Sequence, residues 1–300
     1  MGKTIRMKNV FLAAIMTLLL FIIGIAPVQA EETKPAVVPA PAAAEEEKPT
    51  ADFAVSPLTK YVWRGYEMTR DSIVIQPSLT VAYKGFSANL WGNLDTKPYS
   101  SIHGTKNSAN WTETDLTFSY TKAFGPVNAG VGYIYYSLNA PYAGAADPLD
   151  SQEIFVTLGL NKILAPTITV YKEIDHYHQW YILLGVSHAF ELNKTVSLKL
   201  AASGSYLKSE DADVGKYPKY DSNAVATNDK YNNFHDGVVS VSLPITPVKY
   251  ITVTPLLSYV FPLCDDAKNE MKGRGLEGTS TSASRDSSFL YGGITFDFTF

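Results

Sequence analysis

From residue 53 to the final Phe300 the chain alternates apolar positions with small or polar ones, in runs of nine to thirteen residues bounded by turn-forming residues. A period of two places successive side chains on opposite faces of a strand. Twelve such runs are predicted, at 53–64, 72–84, 86–95, 112–123, 127–139, 152–161, 166–175, 180–190, 195–207, 236–244, 249–261 and 288–300. In the second run Ile73, Ile75, Pro77, Leu79, Val81 and Tyr83 form one face and Gln76, Ser78 and Thr80 the other. Leu116, Phe118 and Tyr120 oppose Thr117, Ser119 and Thr121 in the same way, and Val196, Leu198 and Leu200 oppose Ser197, Lys199 and Ala201. Pro77 and Pro255 each remove a ladder donor, so a bulge or weakened pairing is expected at both.

The connections alternate in length, apart from two short outer ones at 65–71 and 176–179. Lys84-Gly85, Phe124-Gly125-Pro126, 162–165, 191–194 and 245–248 are short, whereas 96–111, 140–151, 208–235 and 262–287 are long. No segment after Ala30 approaches the roughly twenty apolar residues that a membrane helix needs, so a membrane-embedded chain must close its strands into a barrel. A soluble sandwich or lipocalin-like barrel also alternates, but its outward face would be wetted. Here that face carries large aromatics near strand ends, with Trp63, Trp180, Tyr83, Tyr259 and Phe298 suited to interfacial girdles. The expected fold is all-β: a closed antiparallel transmembrane barrel of about twelve strands, with short periplasmic turns and long extracellular loops.

The two ends of the chain point to the same destination. Lys3, Arg6 and Lys8 precede an apolar run from Val10 to Ile25 and then Val28-Gln29-Ala30, the arrangement of a signal peptide cleaved after Ala30. A retained anchor competes with that reading. Residues 31–50 are rich in Pro, Ala and Glu without an aromatic, which predicts an extended periplasmic linker; the barrel then occupies 51–300. At the other end Phe296, Phe298 and Phe300 alternate up to the carboxyl terminus, the pattern of an outer-membrane assembly signal. The expected location is the bacterial outer membrane, with its lipid, lipopolysaccharide and barrel-assembly machinery as partners.

The formal charge of −4 changes to −7 once the three leader cations are removed, which argues against a nucleic-acid partner. The single cysteine, Cys264, excludes an internal disulfide, and Asp265 and Asp266 beside it disfavour a reactive thiolate.

By strand parity Lys60, Arg64, Glu113, Asp115, Glu153, Glu173, Asp175, Lys199 and Asp297 face the lumen, where they would set the field of a pore or pair with one another and occlude it. Arg64 is the better functional candidate of the first two, because its guanidinium offers a fixed fork to carboxylate or phosphate. Asp297, on the strand that must meet the first at closure, is a candidate partner for Lys60 or Arg64. The inward glycines Gly130, Gly132, Gly159, Gly185 and Gly293 leave room for a solute or for a neighbouring ring. His176 and His178 beside Asp175 read as turn residues rather than metal ligands. Ser187 and His188 are adjacent and so face opposite sides, which is wrong for a Ser–His nucleophile. The acids at 209–213 and 264–270 read as solvated outer loops. No cofactor, metal site or catalytic residue is expected.

Tyr61-Val62-Trp63-Arg64-Gly65, Gln76-Pro77, Gly85-Phe86 and Leu90-Trp91-Gly92-Asn93 resemble the opening of the TorF-type porins, outer-membrane proteins of proteobacteria. The resemblance is clearest over residues 52–95 and implies a porin-like barrel, without supplying ligand residues. The expected function is passive diffusion of small hydrophilic solutes through a narrow, charge-lined lumen. The alternative is a structural or loop-borne binding protein with an occluded lumen.

Overall fold

The computed structural model describes residues 48–69, 72–98, 109–140, 147–213, 217–275 and 285–300. The leader, the Ala30 cleavage site and the linker as far as residue 47 lie outside them.

The wall is built from β1 (Thr50–Leu58), β4 (Val74–Tyr83), β5 (Phe86–Asp95), β6 (Asn110–Phe124), β7 (Val127–Leu138), β8 (Ser151–Leu160), β9 (Thr167–Glu173), β10 (Gln179–Glu191), β11 (Ser197–Ser209), β14 (Asn232–Ser242), β16 (Ile251–Pro262) and β17 (Phe289–Thr299). Each pairs with its neighbours, β14 with β16, and β17 returns to β1, so twelve strands close a ring. All these pairings are antiparallel. The closing register sets Ala54 opposite Asp297 and Asp52 opposite Thr299. Closure leaves no wall strand with an unpaired edge, the condition for a sheet in hydrocarbon.

The predicted strands correspond to these, with one substantial exception. The 53–64 run ends as a wall strand at Leu58, and the chain then turns into the barrel as a short hairpin of β2 (Val62–Trp63) and β3 (Tyr66–Glu67). Two long outer connections also carry structure of their own: β12 (Pro218–Tyr220) with β13 (Ala226–Lys230), and the helix α1 (Asp265–Arg274). The acids at 265–266, read as part of a solvated loop, form the first turn of this helix, where they favour its positive end. Cys264 is its N-cap, its sulfur accepting the Ala267 N–H.

Both prolines disturb pairing without a bulge at their own position. The β4–β5 ladder runs from Ile75–Leu94 to Ser78–Trp91 with no pair between, in unchanged register. Opposite Pro255, the strand following β14 breaks at Leu243-Pro244 and resumes as β15 (Ile245–Val248) against β16. At the same end of the barrel Lys84 (φ 50°) and Gly85 (φ 84°) make the two-residue turn that matches strand twist. The chain termini of the barrel lie at this short-turn end, where Phe300 N–H donates to Ala51 O.

The faces separate as the alternation requires. Leu79, Val81, Phe118, Val156, Leu184 and Leu257 are exposed on the outer wall. A continuous apolar exterior on a closed barrel is a lipid-facing surface, and it places the chain in a bacterial outer membrane. Phe296 and Phe300 are exposed, and Phe298 stacks on Phe53 at 6.3 Å between ring centroids. The buried core lies inside the barrel instead: Tyr136, Tyr171, Tyr181 and Phe289 from the wall pack with Tyr66 of the hairpin and Met271 of α1. Gly132 makes room for one of these inward rings, since a Cβ there would stand 2.3 Å from Phe155.

Candidate functional site in the barrel lumen

The infolded hairpin follows from its sequence. Its two turn residues, Arg64 (φ 48°) and Gly65 (φ 78°), are both left-handed, as a tight hairpin of this kind needs. Arg64 is therefore strained, by about 1–2 kcal/mol. Gly65 is required twice over, because a Cβ would also lie 2.6 Å from Asp236 Cβ. Tyr61 N–H donates to Thr69 Oγ1 at 2.7 Å and Met68 N–H to Tyr61 O at 2.9 Å, closing the base. Lys60 pairs with Glu67 within the hairpin.

Arg64 spans the lumen from the β1 side to β8, five strands round the twelve-stranded ring. There its Nη1 donates to Glu153 Oε1 at 2.9 Å and its Nη2 to Glu153 Oε2 at 2.6 Å, while Tyr136 O–H donates to the same Oε2 at 2.9 Å. The guanidinium lies over the rings of Tyr181 (4.4 Å), Trp63 (4.7 Å) and Tyr171 (5.0 Å). Arg64 O accepts from His235 Nε2 at 3.0 Å. Arg64 is 5% exposed and Glu153 1%, so neither charge is held by bulk water and each depends on the other.

This corrects the parity reading of the first strand. Lys60 and Arg64 enter the lumen on the hairpin, not on the wall, and Arg64 is bound by Glu153. Asp297 is set near the short-turn end by its register with Ala54 and Thr252. Trp63 is likewise an interior residue, packing on Tyr66 and Tyr136, not part of a girdle.

The other candidates divide by position. Glu113 and Asp115 are buried side by side on β6, and Tyr61 O–H donates to Glu113 Oε2 at 2.7 Å. Glu173 faces Glu153 across the β8–β9 pair but serves the next turn. Its carboxylate accepts the N–H groups of Asp175, His176, Tyr177 and His178 at 2.5–3.1 Å, and the Ser151 hydroxyl as well. Asp175 accepts from Gln152 and pairs with His176 at 3.2 Å, so these residues build the turn. Lys199 sits near the short-turn end, on the same face of β11 as the cavity-lining Ala201. No metal-binding group of three or more His, Cys, Asp or Glu occurs among the described residues. Ser187 and His188 have no hydrogen-bond partner for hydroxyl or ring among them.

A cavity of about 190 Å³ extends between the Arg64 layer and the short-turn end. Ser56, Ser78, Thr80, Asn89, Thr117 and Ser240 line it, with Asp115, Trp91 and Tyr136 on its walls. The aromatic lining residues Tyr61, Trp91, Tyr136, Tyr171 and Tyr291 carry no charge to single them out in the sequence; only their shared inward parity could have done so. On the outer side α1 covers the hairpin. Tyr66 O–H reaches Glu270 Oε1 at 3.4 Å, Arg274 Nε bonds that same oxygen at 3.0 Å, and Arg274 lies 3.7 Å from the Tyr217 ring centroid. Burial pushes the Glu270 carboxyl up to about 7, against the pull of Arg274 and Tyr66.

No family model matches the chain, and no curated protein matches it. Among solved structures it is similar to the NanC porin, at 10% identity and a TM-score of 0.46 over 83% of this chain and 98% of that one. It is also similar to an outer membrane channel from Pseudomonas putida F1, at 7% identity and a TM-score of 0.48 over 88% of this chain and all of the other.

Proposed function

We propose that the protein is a narrow outer-membrane channel for small hydrophilic solutes, with the Arg64–Glu153 layer as its constriction. One observation carries this reading: a Ser/Thr/Asn-lined cavity leads from the short-turn end to a charged bridge that crosses the lumen on an infolded hairpin. A barrel built only as a scaffold has no need of a polar interior facing an unfilled space. Width and the fixed charges at the bridge would select solutes. We read the leader and the linker at 1–50 as export and periplasmic segments. The residues that carry the resemblance to TorF-type porins, Tyr61, Trp63, Arg64, Gly65 and Trp91, are those that build the hairpin and the cavity wall beneath it, which supports membership of that family.

A second reading is favoured by the burial of Arg64 and Glu153 in an aromatic layer. On that reading the lumen is occluded and the outer connections bind partners or lipopolysaccharide. Planar-bilayer recording of the purified barrel separates the two. Discrete steps of small conductance are expected, and their absence under every salt condition would establish the occluded barrel instead.

A further inference from the structure

The constriction carries more negative charge than its one cation can satisfy. Glu153 engages Arg64 through both oxygens, and Lys60 is held by Glu67. Glu113 and Asp115 then stand on the neighbouring wall, hydrogen-bonded to each other through one shared proton, so that the pair holds a single negative charge, with no basic side chain paired to either among the described residues. Tyr61 satisfies Glu113. Asp115 is 3% exposed, its Oδ1 has no hydrogen-bond partner among the described residues, and it borders the cavity. Buried carboxylate oxygens are almost always satisfied, so an unmatched one facing a void calls for a donor that enters from outside the fold.

The surroundings specify which donor. Asp115 pairs across the sheet with Trp91 on β5 and with Tyr136 on β7, and directly opposed residues share a face. Both rings line the cavity beside it, and Tyr61 of the hairpin closes on Trp91 at 5.7 Å between centroids. One carboxylate between aromatic faces suits a soft, weakly hydrated cation whose carbon-bound hydrogens can lie on the rings. It does not suit a calcium or magnesium ion, which requires several converging oxygens.

We propose that the lumen contains a binding site for the ammonium group of small organic amines, centred on Asp115 and walled by Trp91 and Tyr136. This rests on the reading of the lumen as accessible to small solutes, and it gives the channel a cationic substrate class. Amine cations would be concentrated just below the Arg64 bridge, while anions would meet an excess of carboxylate.

The test is calorimetric titration of the purified, detergent-solubilised protein with tert-butylammonium chloride, and with tert-butanol as an uncharged probe of similar shape. Wild type should bind tert-butylammonium saturably and show no saturable heat with tert-butanol. Asp115→Asn should weaken binding about tenfold or more, and Trp91→Leu severalfold. Equal affinity in Asp115→Asn, equal binding of tert-butanol, or no saturation in wild type would each overturn the site. If Asp115→Asn does not yield a folded barrel, Trp91→Leu and the uncharged probe decide the matter. Binding without conductance steps would remove the channel and keep the site; steps without binding would do the reverse.

Discussion

Replacing Glu153 by Gln tests whether the Arg64 bridge holds the hairpin across the lumen. The change keeps the shape of the side chain and one acceptor but removes the charge opposite a guanidinium that is 5% exposed. Removing one partner of a buried ion pair costs about 3–5 kcal/mol. The three aromatic contacts of Arg64, each on the order of 0.5–2 kcal/mol, remain in place and favour the docked hairpin in both proteins. Taking the lower figure, because Gln still accepts one hydrogen bond, the undocked population should rise about a hundredfold. Trypsin reports this directly, since Arg64-Gly65 is itself a cleavable bond that is buried when docked. Where opening is fast relative to cleavage, the rate follows the open population. Cleavage after Arg64 should therefore accelerate about a hundredfold in Glu153→Gln, with cleavage after the exposed Lys230 as the internal reference. Bilayer conductance should rise in the same variant. The double variant Arg64→Met/Glu153→Leu removes both charges at once and the trypsin site with them, so it is read by bilayer conductance, which should stay within about twofold of wild type. A change at Arg64 of less than about threefold, with the reference unmoved, would refute the claim that this bridge secures the hairpin.

The buried carboxyl of Glu270 predicts a pH dependence for the docking of α1. Its pKa in the folded protein, about 7, lies above the ordinary 4.5, so the stabilisation is complete below about pH 4.5 and is lost as pH rises through 7. Hydrogen exchange of α1 amides, corrected for the intrinsic rate, should show protection falling between pH 5 and pH 8, and Glu270→Gln should flatten the profile; an equal fall in that variant would exclude Glu270 as the cause. Deleting Phe300 should lower the amount of assembled protein in the outer membrane, as read from folded barrel in membrane fractions, and wild-type amounts would contradict the role given to the terminal aromatics.

Much of the wall was legible in the sequence because a barrel strand repeats one simple rule. Alternation gave the twelve strands, and the Lys84-Gly85 turn and the two proline interruptions follow from backbone chemistry that each residue carries with it. The helix α1 was less visible, although it is bracketed by Asp265 and Asp266 in its first turn and Lys272 and Arg274 in its last. A short helix inside a long polar connection gives little periodicity to read. The 53–64 run misled for the opposite reason, since Tyr61 and Trp63 continue the strand's alternation past the point where the chain leaves the wall.

The sequence by itself determined that the chain is a closed sheet with an apolar exterior, because the period of two and the absence of a second long apolar segment leave no other way to meet lipid. It also offered Glu113, Asp115 and Glu153 as candidates for the inward face. Only the tertiary structure decided what those residues do. Arg64 lies 89 positions from Glu153, and strand parity fixes which way a side chain points but not what stands opposite across the lumen. Ring closure and the infolding of residues 59–69 supply that distance, and they turn a set of inward charges into a bridge above a cavity with one carboxylate left to fill.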